Sequence, residues 1–147
     1  MNKILIPLAD LSELSLNAAH YAVEFAKRSG SKPIFLFFSE TERANADPLN
    51  ADSAPSAQKE CEIREKIEVL IDRSAVDGLD FARYECCGEY IEKVCEFVRN
   101  LNIAEIVIAI PDDKQDELYD KIEKDISLLV QMTPCRILTV KEKHKGE

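Results

Sequence analysis

Apolar residues along this chain alternate between two spacings. Five short runs have the length and the β-branched or aromatic content of strands: KILIPL at 3–8, PIFLFFS at 33–39, Phe81 to Cys86, Ile106 to Ile110, and CRILTV at 135–140. Between them, apolar positions recur every three or four residues, the period of a helix with one buried face. Leu14, Ala18, Ala22, Phe25 and Ala26 make the first stripe, with Asp10 and Ser12 as start residues and Ser29-Gly30 as the stop. Ile63, Ile67, Leu70, Ile71 and Ser74 make the second, which Asp77-Gly78 breaks. The third opens at Gly88 and carries Ile91, Val94, Cys95, Val98 and Leu101. The fourth carries Leu118, Ile122, Ile126, Leu129 and Val130 and ends at Thr133-Pro134.

Regular strand–helix alternation predicts a three-layer α/β fold, a doubly wound parallel sheet of five strands in the order 3-2-1-4-5. The run at 33–39 is apolar on both faces, as a strand covered by helices on each side must be. In such a sheet the ligand crevice lies beyond the carboxyl ends of the first and fourth strands, where the winding reverses. Pro7 to Asp10 and Ile110 to Lys114 are expected to line it. Residues 40–57 break the alternation. They are polar, rich in alanine and without a period, and read as a flexible loop within a single domain spanning 1–147.

Composition narrows the function. The net charge of −9 and pI of about 4.8 argue against nucleic acid or an anionic membrane as partner. No apolar run reaches the ~18 residues of a spanning helix, and Pro7 and Asp10 interrupt any signal-peptide core in MNKILIPLAD. The expectation is a cytoplasmic protein. Its five cysteines, Cys61, Cys86, Cys87, Cys95 and Cys135, have no CxxC spacing and no flanking histidine, so they read as buried reduced thiols, with no metal site. Cys86 and Cys87, adjacent at a strand end, point to opposite faces and chelate poorly.

Three stretches carry a family resemblance. KILIPLADLSELSLNAAHYAVEFAKRSGS resembles the first strand and helix of the universal stress protein family, including its D-x-S-E-x-S turn as Asp10, Ser12, Glu13 and Ser15. CGEYIEKVCEFVRNLNIAEIVIAI is similar to that family's segment ending A-D-x-I-V-x-G, and TPCRILTV to its closing A-P-C-P-V-L-V-V strand. The resemblance implies an adenine-nucleotide alpha-hydrolase-like fold and, in ATP-binding members, a G-x2-G-x9-G-[ST] motif after the fourth strand. Aligning back from TPC puts those four positions on Ile110, Asp113, Glu123 and Lys124. None matches.

Glycine permits the close backbone approach that phosphates need. A β-branched Ile110 and the carboxylates of Asp113 and Glu123 do the opposite, since like charges about 4 Å apart in a partly wet site repel by roughly 4 kcal/mol. Asp112 or Asp113 is expected to cap the following helix, with Asp116 and Glu117 in or near its first turn. Lys124 either offers an anion a remaining cation or, as a surface residue, pairs with Asp120 at i,i+4. The expectation is no ATP and no cofactor. If any ligand binds, Leu8, Ala9, Asp10, Ile110, Asp113, Glu123 and Lys124 would form its pocket; Asp10 serves equally as a ribose contact or a helix-start residue.

Nothing in the sequence assembles a catalytic set. His20 flanks core positions and reads as a half-buried packing residue, His144 lies in a charged tail, and Ser12 and Ser15 have no evident base. Cys87 before Gly88 stands near a helix start, which favours a thiolate, against the reading of an idle thiol. Two functions follow: a non-enzymatic stress-response protein acting through protein contacts, or a small-molecule binder for a nucleoside or adenylate-like compound. The final strand is expected to be a sheet edge with Ile137, Leu138, Thr139 and Val140 joining a homodimer.

Overall fold

The computed structural model describes residues 2–9, 12–38 and 54–141. Five strands alternate with four helices: β1 (Lys3–Leu8), α1 (Glu13–Ser29), β2 (Lys32–Phe38), α2 (Ala54–Val76), β3 (Ala82–Cys86), α3 (Tyr90–Leu101), β4 (Glu105–Ile110), α4 (Glu117–Met132) and β5 (Arg136–Lys141). All four strand pairings are parallel and the order is β3-β2-β1-β4-β5, as the alternation predicts. Strand limits fall within a residue of those read from the apolar runs.

Side-chain direction along the central strands alternates and so divides the core in two. Ile4, Ile6, Leu8, Phe35, Phe37, Val107 and Ala109 face one layer, where α1 and α2 lie. Leu5, Ile34, Leu36, Ile106 and Ile108 face the other, against α3 and α4. Each large side chain taken fully out of water contributes roughly 1.5–3 kcal/mol before entropy is charged against it. The alanines of α1 (Ala18, Ala19, Ala22 and Ala26) are buried and let that helix sit close to the sheet. By contrast α4 buries only Leu129 completely, while Leu118, Ile122 and Ile126 are half-buried.

Helix ends follow the local chemistry. Gly30 ends α1 with φ 74°, its N–H bonded to the Ala26 carbonyl, and Asn102 ends α3 with φ 57°. Glu89 caps α3, its carboxylate accepting from the Glu92 amide at 2.7 Å. The polar loop read at 40–57 lies outside the described residues as far as 53, but Ala54–Ala57 are the first turn of α2. Alanine is the best helix former, and proline is well tolerated in a first turn.

Candidate functional site

The carboxyl ends of β1 and β4 lie side by side, and a cavity of about 80 Å³ opens between them. β1 supplies Pro7 and the residue after it, Ala9; β4 supplies Ile108 and Ala109. The start of α1 brings Leu14 and Ser15, and Tyr90 reaches in from the first turn of α3. Its remaining wall is α4, through Leu118, Lys121, Ile122 and Asp125. Those four follow the i, i+3, i+4, i+7 spacing of one helix face. Leu118 and Ile122 pack against the core, so α4 itself fills much of the crevice.

Only part of the set expected from sequence gathers here. Ala9 lines the cavity, while Leu8 is 1% exposed and belongs to the core beneath it. Asp10 lies outside the described residues. Ile110 is buried at the end of β4 and does not line the cavity, and Asp112, Asp113 and Lys114 are exposed on the turn that follows. Glu123 and Lys124 are exposed on the outer side of α4. Counting along a motif places residues by number, whereas the helix turns Glu123 to the face opposite Lys121 and Asp125 and leaves Lys124 outside the cavity lining, close enough for its charge to act on Asp125. The signal for the latter pair was present: both share the helical face of Leu118 and Ile122.

Asp125 is the notable charge of the cavity. Burial raises its carboxyl above the ordinary carboxylate range; Lys121 opposes this, Glu89 adds to it and Lys124 opposes it again. The expected Lys124–Asp120 ion pair is not formed among the described residues.

The N-terminus of α4 is capped from its own chain, but by a different aspartate from those expected. Asp116 is the cap, its Oδ1 accepting from the Leu118 amide at 2.9 Å and its carbonyl from the Tyr119 amide at 3.0 Å. Asp113 shapes the turn before it, taking the Gln115 amide on Oδ1 at 2.9 Å and the Asp116 amide on its carbonyl at 3.1 Å. Pro111 and this extra turn carry the chain past Asp112 and Asp113 before helical dihedrals begin. Four consecutive-region amides, those of Gln115, Asp116, Leu118 and Tyr119, are therefore spent on protein oxygens.

Other candidate chemistry is dispersed. His20 is exposed on α1, not half-buried, because it lies on the rim of the helix away from the sheet. All five cysteines are free, and the expectation of buried thiols fails: Cys61 and Cys87 are exposed, and Cys86, Cys95 and Cys135 are half-buried. Cys87 is exposed just past the end of an edge strand, and Cys86 packs against the core. Burial raises the thiol pKa of Cys86, Cys95 and Cys135. Among the described residues no group of three or more His, Cys, Asp or Glu side chains is arranged to hold a metal ion, and no helix is long and apolar enough to cross a membrane.

Comparison with known proteins bears on this arrangement. The sequence profile of the universal stress protein family matches residues 1–114. No curated protein matches the chain. Among solved structures, the chain is similar to a hypothetical protein solved as a test case of structural genomics, with TM-score 0.65 and 16% identity over 98% of each chain. It is similar to universal stress protein UspA from Lactobacillus plantarum, with TM-score 0.59 and 16% identity over 95% of this chain and 97% of that one. A universal stress protein from Archaeoglobus fulgidus in complex with dAMP matches with TM-score 0.60 and 12% identity over 96% and 98%.

Proposed function

The chain belongs to the universal stress protein family, and from that premise we propose that it works without ATP and without catalysis, as a cytoplasmic homodimer acting in the stress response through protein contacts. The start of α4 carries this reading. The chain has no glycine between Gly88 and Gly146, so no backbone there is free of side chains to approach a phosphate. Amides that an anion would recruit are taken by Asp113 and Asp116, and those carboxylates repel a polyphosphate. The cavity of about 80 Å³ is small beside the ~300–1,000 Å³ of ordinary ligand sites.

A second reading rests on the same crevice. The Archaeoglobus fulgidus relative was solved with dAMP, and here the apolar side chains of Pro7, Ala9, Leu14 and Ala18, with Ser15 and Tyr90 beside them, suit an uncharged nucleoside better than a nucleotide. Isothermal titration with magnesium-ATP, AMP and adenosine separates the readings. The expected outcome is no saturable heat with ATP at millimolar concentration. Saturation by adenosine alone selects the second reading. ATP saturating below ~100 μM, about 5.5 kcal/mol of binding free energy, overturns both.

A further inference from the structure

Two of the half-buried cysteines, forty positions apart in sequence, are brought together on the α3–α4 side of the sheet. Cys95 stands midway along α3, and Cys135 lies in the connection between α4 and β5. Both pack against the same buried cluster, which includes Val98 and Ile103. A short chain of contacts joins them. The Cys135 S–H donates to the Ile103 carbonyl at 3.1 Å, and the Ile103 amide donates to the Val98 carbonyl at 3.2 Å. Val98 lies three residues past Cys95, on the same face of α3. A groove of about 310 Å³ opens there, lined by Cys95 and Val98 from α3 and by Thr133 and Pro134, the two residues before Cys135. The thiols are close enough for the charge of Cys95 to act on Cys135. The other cysteines lie elsewhere: Cys61 is on α2, in the opposite layer, and Cys86 and Cys87 stand at the end of β3.

We propose that Cys95 and Cys135 are a redox pair that closes into an intramolecular disulfide when a low-molecular-weight disulfide such as oxidised glutathione is in excess. The Cys95 thiolate, which lines the groove, attacks one sulfur of the oxidant, forms a mixed disulfide and releases one glutathione thiolate. The Cys135 thiolate then attacks the Cys95 sulfur and expels the second glutathione. The two protein thiols thereby lose two electrons to the glutathione disulfide, and their two protons leave on two glutathione thiols. Cys135 belongs to neither a helix nor a strand, so its sulfur can exchange the Ile103 carbonyl for Cys95 without breaking a ladder. Burial raises both thiols, with Arg99 opposing this at Cys95 and Thr133 opposing it at Cys135, so closure is slow near neutral pH. Once formed, the bond spans the groove and ties the middle of α3 to the residue before β5.

Peptide mapping tests the pairing on the unmodified chain. The folded protein is held with oxidised glutathione at about pH 8.5, the ordinary thiol pKa. Remaining thiols are alkylated, and tryptic digestion without reductant is followed by mass spectrometry. Cleavage after lysine and arginine puts Cys95 on 94–99, Cys135 on 125–136, Cys86 and Cys87 on 84–93 and Cys61 on 60–64, so each pairing has its own mass. The expected product is 94–99 linked to 125–136, and dithiothreitol should separate the two. Closing so long a loop is expected to raise the urea midpoint of the oxidised chain by roughly 1 M. Cys95→Ser and Cys135→Ser should each lose both the linked peptide and the rise, with circular dichroism confirming that the fold is kept. Recovery of 94–99 and 125–136 as alkylated peptides or glutathione adducts, with no link between them, overturns the proposal. So does a link that forms only in urea, where cysteines meet without help from the fold.

Discussion

The two edges of the sheet are treated in opposite ways. At the β3 edge, Arg83, Tyr84 and Glu85 are exposed in succession, and the charges are tied down. Arg64 on α2 pairs with both Glu85 and Glu68, and Arg83 donates to Glu68 at 2.8 Å. Both guanidinium groups lie over the ring of buried Phe37, at 4.7 and 5.0 Å from its centroid. Tyr84 leans on Phe97 with ring centroids 5.5 Å apart. At the β5 edge, the span from Ile137 to Val140 carries no charge at all, and Arg136 and Lys141 stand only at its ends. Edge strands invite pairing unless charge or cover prevents it. β3 is fenced by charge and β5 is left plain, so the proposed homodimer is expected to join through β5 rather than β3.

The largest effect is expected from fencing the plain edge. Thr139 is exposed on β5, so Thr139→Lys costs the fold little while placing two ammonium groups near a two-fold strand junction. Light scattering at micromolar concentration should show the mass contributed by β5 pairing lost, with affinity down about a hundredfold, or ~2.7 kcal/mol. Amide exchange should rise across 136–140 in the variant. An unmodified chain whose 136–140 amides already exchange freely removes β5 as the junction. Glu85→Ala at the other edge should leave the mass unchanged.

A smaller effect distinguishes the edges by stability. Arg64→Ala removes two ion pairs and one cation–π contact from the β3 fence. Each is partly solvated, so the sum is about 1–2 kcal/mol rather than the total of three ideal contacts. Arg136→Ala, at the β5 edge, removes an exposed side chain with no ion pair among the described residues and should change stability by less than ~0.5 kcal/mol. Urea midpoints at constant slope measure both. Equal losses at the two edges would mean that the fence contributes nothing particular.

How much of this was legible beforehand depends on whether a feature is set by one segment or by several. The strand–helix alternation, the order of the sheet and the glycine stop at Gly30 are properties of short windows, and they were readable. The capping residue was not, because three aspartates within five positions are each chemically able to cap. The choice of Asp116 follows from the turn that Asp113 builds after buried Pro111. Lys121 and Asp125 are hidden differently: the missing glycine motif falls on positions 123 and 124, whereas the apolar periodicity of α4 points to the other face. The β3 fence needs Arg64 and Glu68 from α2 and Arg83 and Glu85 from β3 to meet over Phe37 of β2. No single window contains that contact. The exposure of His20 and Cys87 is not legible in sequence, because apolar neighbours do not decide on which side of the helix rim, or how far past a strand end, a side chain sits.

The smallest effect concerns acid. Glu68 joins the two fence arginines, and its carboxyl is held below its ordinary value of 4.5, first by the hydrogen bond from Arg83, with burial opposing and the charges of Arg83 and Arg64 assisting. A carboxyl lowered in the folded state adds stability above its unfolded value and loses it as pH falls through the folded value. Asp125 runs the other way: its raised carboxyl favours the protonated form, so acid relieves it over an overlapping range. A simple acid-unfolding curve mixes the two. The difference in stability between the unmodified chain and Glu68→Gln separates them, because Asp125 is common to both. That difference should be under ~1 kcal/mol at neutral pH, given that Glu68 is 37% exposed. It should hold down to about pH 5 and shrink steadily below pH 4.5. Mass measured over the same range should not follow it, since Ile137 to Val140 contain no group that titrates. A β5 dimer that dissociates in step with the loss of the Glu68 contribution would mean that the two edges are coupled through the sheet and not independent devices.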